Sequence, residues 1–81
     1  MNQNKIFLKG LIAENEEKLR GLEIKIENYS RDVAFHISTL AGIDNINIET
    51  AEVIFKELKK AFEEYKKTKE ELKKLKEEIN G

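Results

Sequence analysis

The residues Leu40 to Glu52, LAGIDNINIETAE, stand between two long runs of heptad spacing, and whether they turn the chain back on itself decides the fold. Gly42 is able to take the left-handed conformation that ends a helix, with Ile43 folding back on the last turn. Asn47 carries a side chain that accepts a hydrogen bond from an orphan amide at the start of a new helix, and Glu49 suits the positive end of that helix's dipole. Ile46 and Ala51 flank Asn47 at the spacing of a hydrophobic staple. A stop and a start separated by about five to seven residues make neighbouring helices run antiparallel.

Upstream, alternating steps of four and three residues land on Leu8, Ile12, Asn15, Leu19, Leu22, Ile26, Tyr29, Val33, His36 and Leu40 without a slip. A spacing averaging about 3.5 residues keeps one stripe of a helix against a neighbour, so residues 5–41 are expected as helix one. Ile12, Leu19, Ile26, Val33 and Leu40 are then a positions, and Leu8, Asn15, Leu22, Tyr29 and His36 are d positions. Downstream, the same stepping from Ala51 lands on Ile54, Leu58, Ala61, Tyr65, Thr68, Leu72, Leu75 and Ile79, which gives helix two over 48–79 after a turn at 42–47. The expected fold is all-α: an antiparallel, coiled-coil-like two-helix hairpin forming one domain over residues 1–81.

An antiparallel seam pairs a with d. One register places Val33 against Ile54, Tyr29 against Leu58, Ile26 against Ala61, Leu22 against Tyr65, Leu19 against Thr68, Ile12 against Leu75 and Leu8 against Ile79. Large side chains often meet small ones there, as packing requires. The same register centres the turn between residues 43 and 44, inside the segment chosen from its capping signals. Flanking charges fit less completely: Lys18 with Glu71, Lys25 with Glu64 and Glu16 with Lys69 attract, whereas Asp32 with Glu57 and Lys9 with Lys76 repel. Exposed pairs contribute at most about 1 kcal/mol each, so apolar pairing sets the register.

Composition narrows what such a hairpin does. Of the 81 residues 38% are charged and 40% hydrophobic, with no proline and no cysteine. A net charge of −1 supplies no broad phosphate-binding field, so neither nucleic acid nor a membrane surface is the expected partner. The stretch KKTKEELKKLKEE, residues 66–78, has its lysines matched by glutamates a turn away and reads as a solvated, salt-bridged face. With no cysteine and one histidine, no metal site and no cofactor are expected. The N-terminal apolar stretch is too short and too interrupted for a signal peptide or a membrane span, which makes the cytoplasm the expected location.

The seam leaves Phe7, Leu11, Ile24, Phe35, Ile37, Val53, Phe55 and Phe62 outside it. Five of these lie near the turn: Phe35, Ile37, Val53, Phe55 and Phe62 are the expected interface residues. Phe55 and Phe62 are successive e positions, beside the seam, and Ile37 is an e position of helix one, so the apolar stripe widens toward one flank. A chain this small is marginal alone, and a symmetric dimer closing a four-helix bundle is the expected remedy. Burying Phe55 and Phe62 in a symmetric dimer, where each ring counts twice, is expected to contribute roughly 8 to 12 kcal/mol, at about 2 to 3 kcal/mol per ring.

Two polar residues interrupt the stripe. Asn15, opposite Leu72, is expected to fix register, and His36, opposite the small Ala51, has room to bond a loop carbonyl or Asn47. The stretch Arg31 to His36, RDVAFH, also resembles the catalytic motif of HEPN-family ribonucleases. That resemblance implies a metal-independent RNA cleavage in which His36 handles protons and Arg31 steadies the phosphate across a dimer, with Asp32 at the motif's polar position. It covers six residues, and the family's bundles have four or more helices per chain. Other catalytic constellations are absent: there is no glycine-rich phosphate loop, no HExxH and no nucleophile elbow. A dry two-helix seam also offers no deep pocket for a small substrate. The expected function is a non-catalytic protein–protein interaction module: an adaptor, an assembly factor or a small inhibitor of the kind that phages and mobile elements carry. The ribonuclease is the second reading, and a nucleic-acid-associated helical protein a third.

Overall fold

The computed structural model describes residues 2–80, and side chains from Asn4 onward. α1 runs Asn2–Ile37, a single 3₁₀ turn occupies Ile43–Asn45, and α2 runs Ile48–Asn80. The two helices pack antiparallel into a rod of 63 × 15 × 14 Å. Its radius of gyration of 18.3 Å exceeds the roughly 12 Å of a compact domain of this length, so the protein has one seam and no second layer of packing.

The heptad stripe is the shielded stripe. Leu8, Ile12, Asn15, Leu19, Leu22, Ile26, Tyr29, Val33 and His36 are all buried or half-buried on α1, as are Ala51, Ile54, Leu58, Ala61, Tyr65, Thr68, Leu72, Leu75 and Ile79 on α2. Among the described residues only Leu22, Ala51, Ala61, Thr68, Leu72 and Leu75 are buried, and no side chain is completely enclosed. Two helices shield each other's a and d positions on one side only, and water reaches the remainder. Leu8 and Ile79 line one hollow with Leu11 and Leu75, and Leu22 and Tyr29 line another with Ala61, in keeping with the expected register.

Polar groups in the seam are satisfied within their own helix. The buried Thr68 hydroxyl donates to the Glu64 carbonyl at 2.8 Å, and the Asn15 amide donates to the Leu11 carbonyl at 2.8 Å. Asn15 therefore makes no hydrogen bond across the seam, contrary to the register role expected of it. Ion pairs cross the seam, but not those expected. Lys18 reaches Glu64 at 2.6 Å instead of Glu71, and Glu16 is reached by Lys76 at 3.9 Å instead of Lys69. Each lysine spans a diagonal one layer removed from its nearest neighbour, a shift its four-carbon stem allows.

Helix one ends four residues earlier than expected, and the reason is an exchange of hydrogen-bond partners. Were the helix to continue, the Leu40 N–H would donate to the His36 carbonyl. Instead the Ser38 hydroxyl accepts from Leu40 N–H at 3.2 Å, and the His36 carbonyl accepts from Asn47 N–H at 2.8 Å. Short hydroxyl side chains compete with the helix ladder in this way. Leu40, assigned to the seam on spacing, is 98% exposed. Gly42 does have a positive φ, at 102° with ψ 150°, but it opens the 3₁₀ turn rather than closing α1, and Ile43 is exposed rather than folded back. The connection is accordingly 38–47, longer than the expected turn.

The start of α2 matches expectation. The Thr50 N–H donates to Asn47 Oδ1 at 3.0 Å, and the Ala51 N–H donates to the Asn47 carbonyl at 3.1 Å, which makes Asn47 the N-cap. Its backbone N–H also holds the end of α1, so this one residue ties both helices to the turn. Asn47→Ala is expected to lower stability by about 1 kcal/mol in urea denaturation through loss of the cap. Gly21→Ala, where an added Cβ meets nothing within 4 Å, is expected to raise it by roughly 0.5 to 1 kcal/mol.

Candidate functional site

An α-helix advances about 100° per residue, so positions two apart point to nearly opposite sides. This separates the expected interface residues into two groups. Ile37, Phe55 and Phe62 lie at e positions, on the flank adjoining the seam, and Ile48 joins them as the e position one heptad before Phe55. Phe35 and Val53, each two residues before a member of that group, lie at c positions and turn toward the opposite flank. Ile48 did not stand out in the sequence because it falls at the first helical position of α2, where the capping pattern masked its heptad place.

All four e-position side chains are partly open to water: Ile37 is 48% exposed, Ile48 62%, Phe55 55% and Phe62 48%. They form an apolar strip at the turn end, shared between the two helices. Phe62 is the best-held member. Its ring stacks with Tyr65 at 6.4 Å between centroids with 14° between planes, and the Lys66 ammonium sits 5.2 Å from the ring centroid. Lys69 lies similarly over Tyr65 at 5.4 Å. The rings are thus propped along α2 by cations on the next turn.

Beyond Phe62 the flank becomes charged. Lys66, Lys69, Lys73 and Lys76 line an open groove along α2 together with Glu70, Leu72, Glu77 and Asn80. The neighbouring α1 carries Glu16, Glu23 and Glu27 on this side, with Arg20 and Lys9 between and below them. On the other flank α2 presents Glu57, Glu64, Glu71 and Glu78 at successive g positions, opposite Lys18 and Lys25 of α1. A smaller apolar groove at the open end is lined by Phe7, Leu8, Leu11, Leu75 and Ile79.

His36 and Arg31 diverge within the chain. His36 is half-buried at a d position, its ring edge-on to Phe35 at 5.3 Å, and its contribution to the turn is the backbone carbonyl that Asn47 engages. Arg31, five residues earlier, is exposed at the f position, about 140° around the helix and pointing away from the seam. Among the described residues there is no group of three or more potential metal ligands, and no helix is long and apolar enough to cross a membrane.

One carboxylate is perturbed. The hydrogen bond from Lys18, reinforced by its charge and by that of Lys67, holds the Glu64 carboxyl below the ordinary carboxylate value of 4.5. A lowered folded-state value means that the pair stabilises the hairpin above the ordinary carboxylate range and that this contribution is lost as pH falls through the lowered value. Titration of the Glu64 side-chain carboxyl followed by NMR is expected to place it below the ordinary glutamate value, and Lys18→Met to return it toward that value.

No protein-family model, no curated protein and no solved structure matches the chain.

Proposed function

We propose that this protein is a non-catalytic protein–protein interaction module that works as a homodimer of hairpins, closing a four-helix bundle at the turn end. Such a module serves as an adaptor, an assembly factor or an inhibitor, presenting the outer surfaces of the bundle to a further protein. The observation that carries the reading is that Ile37, Ile48, Phe55 and Phe62, each about half exposed or more, fall on one flank at the turn end. Large apolar side chains clustered on one flank of a soluble rod mark an interface. The marginal seam points the same way, because a hairpin with six buried residues among those described gains from a second layer.

A second copy is the favoured occupant because symmetric dimers are the commonest assemblies and one flank of a hairpin supplies half of a bundle core. The energetics are smaller than free rings would give. Phe55 and Phe62 are already about half shielded in the hairpin. Each therefore contributes roughly 1 to 1.5 kcal/mol on further burial, on the order of 4 to 6 kcal/mol over the four rings of a dimer. Loss of that amount weakens association by about a thousandfold or more. Sedimentation equilibrium of the Phe55→Lys, Phe62→Lys variant is expected to give the monomer mass of 9.4 kDa where the wild-type chain gives twice that. Phe35→Lys, on the opposite flank, is expected to leave the dimer intact. A wild-type chain that stays monomeric at high concentration would remove the homodimer and leave the strip as a docking face for a different protein.

A further inference from the structure

The e-position flank is divided along its length and across its width, and that division selects one arrangement of two copies. Lengthwise, the e positions of the turn half are apolar, with Ile37, Ile48, Phe55 and Phe62 and the charges Glu52, Lys59 and Glu27 beside them, and those of the open half are charged. Crosswise, the charges are mostly sorted by helix: Lys59, Lys66, Lys69, Lys73 and Lys76 lie on the α2 side, with Glu52 as the exception, and Glu16, Glu23 and Glu27 on the α1 side, with Arg20 and Lys9 as exceptions. Two-fold symmetry allows two face-to-face arrangements. With turns at opposite ends, α2 lies over α2 of the other copy. Full overlap then sets the apolar half against the charged half, and overlap of the turn halves alone leaves the charged halves unused. With turns at the same end, α2 lies over α1 of the other copy at the same height, so apolar meets apolar and lysine meets glutamate.

We infer that two copies associate side by side with their turns at the same end, α2 of each lying along α1 of the other, and that Lys59 and Lys66 of one copy face Glu27 and Glu23 of the other. The heights follow from the seam. In that register Lys59 lies level with Asn28, one residue from Glu27, and Lys66 lies level with Gly21, two residues from Glu23 and one from Arg20. Phe55 at its level meets Ala34 and Ser30, small residues that leave room for a ring. Among the described residues, Lys59, Glu23 and Glu27 make no ion pair within the chain, and Lys66 makes none beyond its place over the Phe62 ring, from which its stem can turn to a carboxylate of a second copy. Solvated pairs of this kind set orientation more than affinity, while the apolar half supplies the holding energy.

This orientation rests on the proposed homodimer, and one experiment separates the two claims. The chain contains no cysteine, so Asp44→Cys, at the exposed turn, takes a single nitroxide for pulsed dipolar spectroscopy. Turns at the same end bring the labels to about 2 nm, given interaxial spacings of roughly 10 Å plus the label linkers. Opposed turns separate them by about 3 nm if only the turn halves overlap, at 1.5 Å per residue on either side of the overlap, and by more if the rods overlap fully. A short distance supports the orientation, and a distance of 3 nm or more overturns it while the dimer stands. Absence of any dipolar interaction under conditions where the wild type is concentrated overturns the dimer itself. Charge reversal gives an independent check. The Lys59→Glu, Lys66→Glu chain and the Glu23→Lys, Glu27→Lys chain are each expected to associate at least tenfold more weakly than wild type, and their equimolar mixture to recover wild-type association. A mixture no tighter than either chain alone overturns the orientation.

Discussion

The packing seam of this protein is one side of one helix against one side of another, and every other feature follows from how little that shields. A stripe repeating every 3.5 residues buries its a and d positions only when something faces it. On α1 and α2 the two stripes face each other along a 63 Å rod, and among the described residues nothing covers the flanks beside them. The side chains next to the seam therefore decide what the surface does. Where they are glutamate and lysine, they solvate or pair across the helices, as Lys18 with Glu64 and Lys76 with Glu16 do. Where they are isoleucine and phenylalanine, near the turn, they remain half in water.

The turn holds this arrangement through polar chemistry rather than packing. Asn47 caps α2 with its side chain and engages the end of α1 with its backbone, so the chain reverses about one residue. Gly42, at φ 102°, takes a conformation that a residue with a Cβ adopts only under strain. Leu40 and Ile43 project into solvent from this loop, because backbone geometry, not burial of those two side chains, sets its path. The consequence for function is that the apolar strip begins immediately below a well-tied corner, where Ile37 and Ile48 meet the seam from either helix.

The two helices, their antiparallel order, their register and the Asn47 cap were legible in the sequence because each rests on spacing repeated over many residues or on a short local pattern. The end of α1 was not. Spacing alone carried the stripe through Leu40, whereas the structure is decided by a competition between the Ser38 hydroxyl and the helix ladder, and by the arrival of an amide from beyond the turn. Ion-pair partners were also illegible in detail, since a lysine stem reaches either of two diagonal neighbours at little cost. Among the interface candidates, Phe55, Phe62 and Ile37 could be placed on one flank from heptad position. Grouping Phe35 and Val53 with them came from nearness in sequence to the turn, and their helical phase sends them to the other side. For His36 the sequence showed a place in the seam near Asn47; the bond that forms there uses its carbonyl rather than its ring.

The hairpin is complete along its seam and leaves one flank open, and the proposed homodimer covers that flank with a second copy; isotope-filtered NOE spectroscopy on a mixture of labelled and unlabelled wild-type chains tests this most directly. The account predicts intermolecular cross-peaks from the Phe55 and Phe62 rings and from the Ile37 and Ile48 methyls, with none from Phe35 or Val53. Cross-peaks confined within one chain, or intermolecular contacts made by Phe35 and Val53 instead, would contradict it.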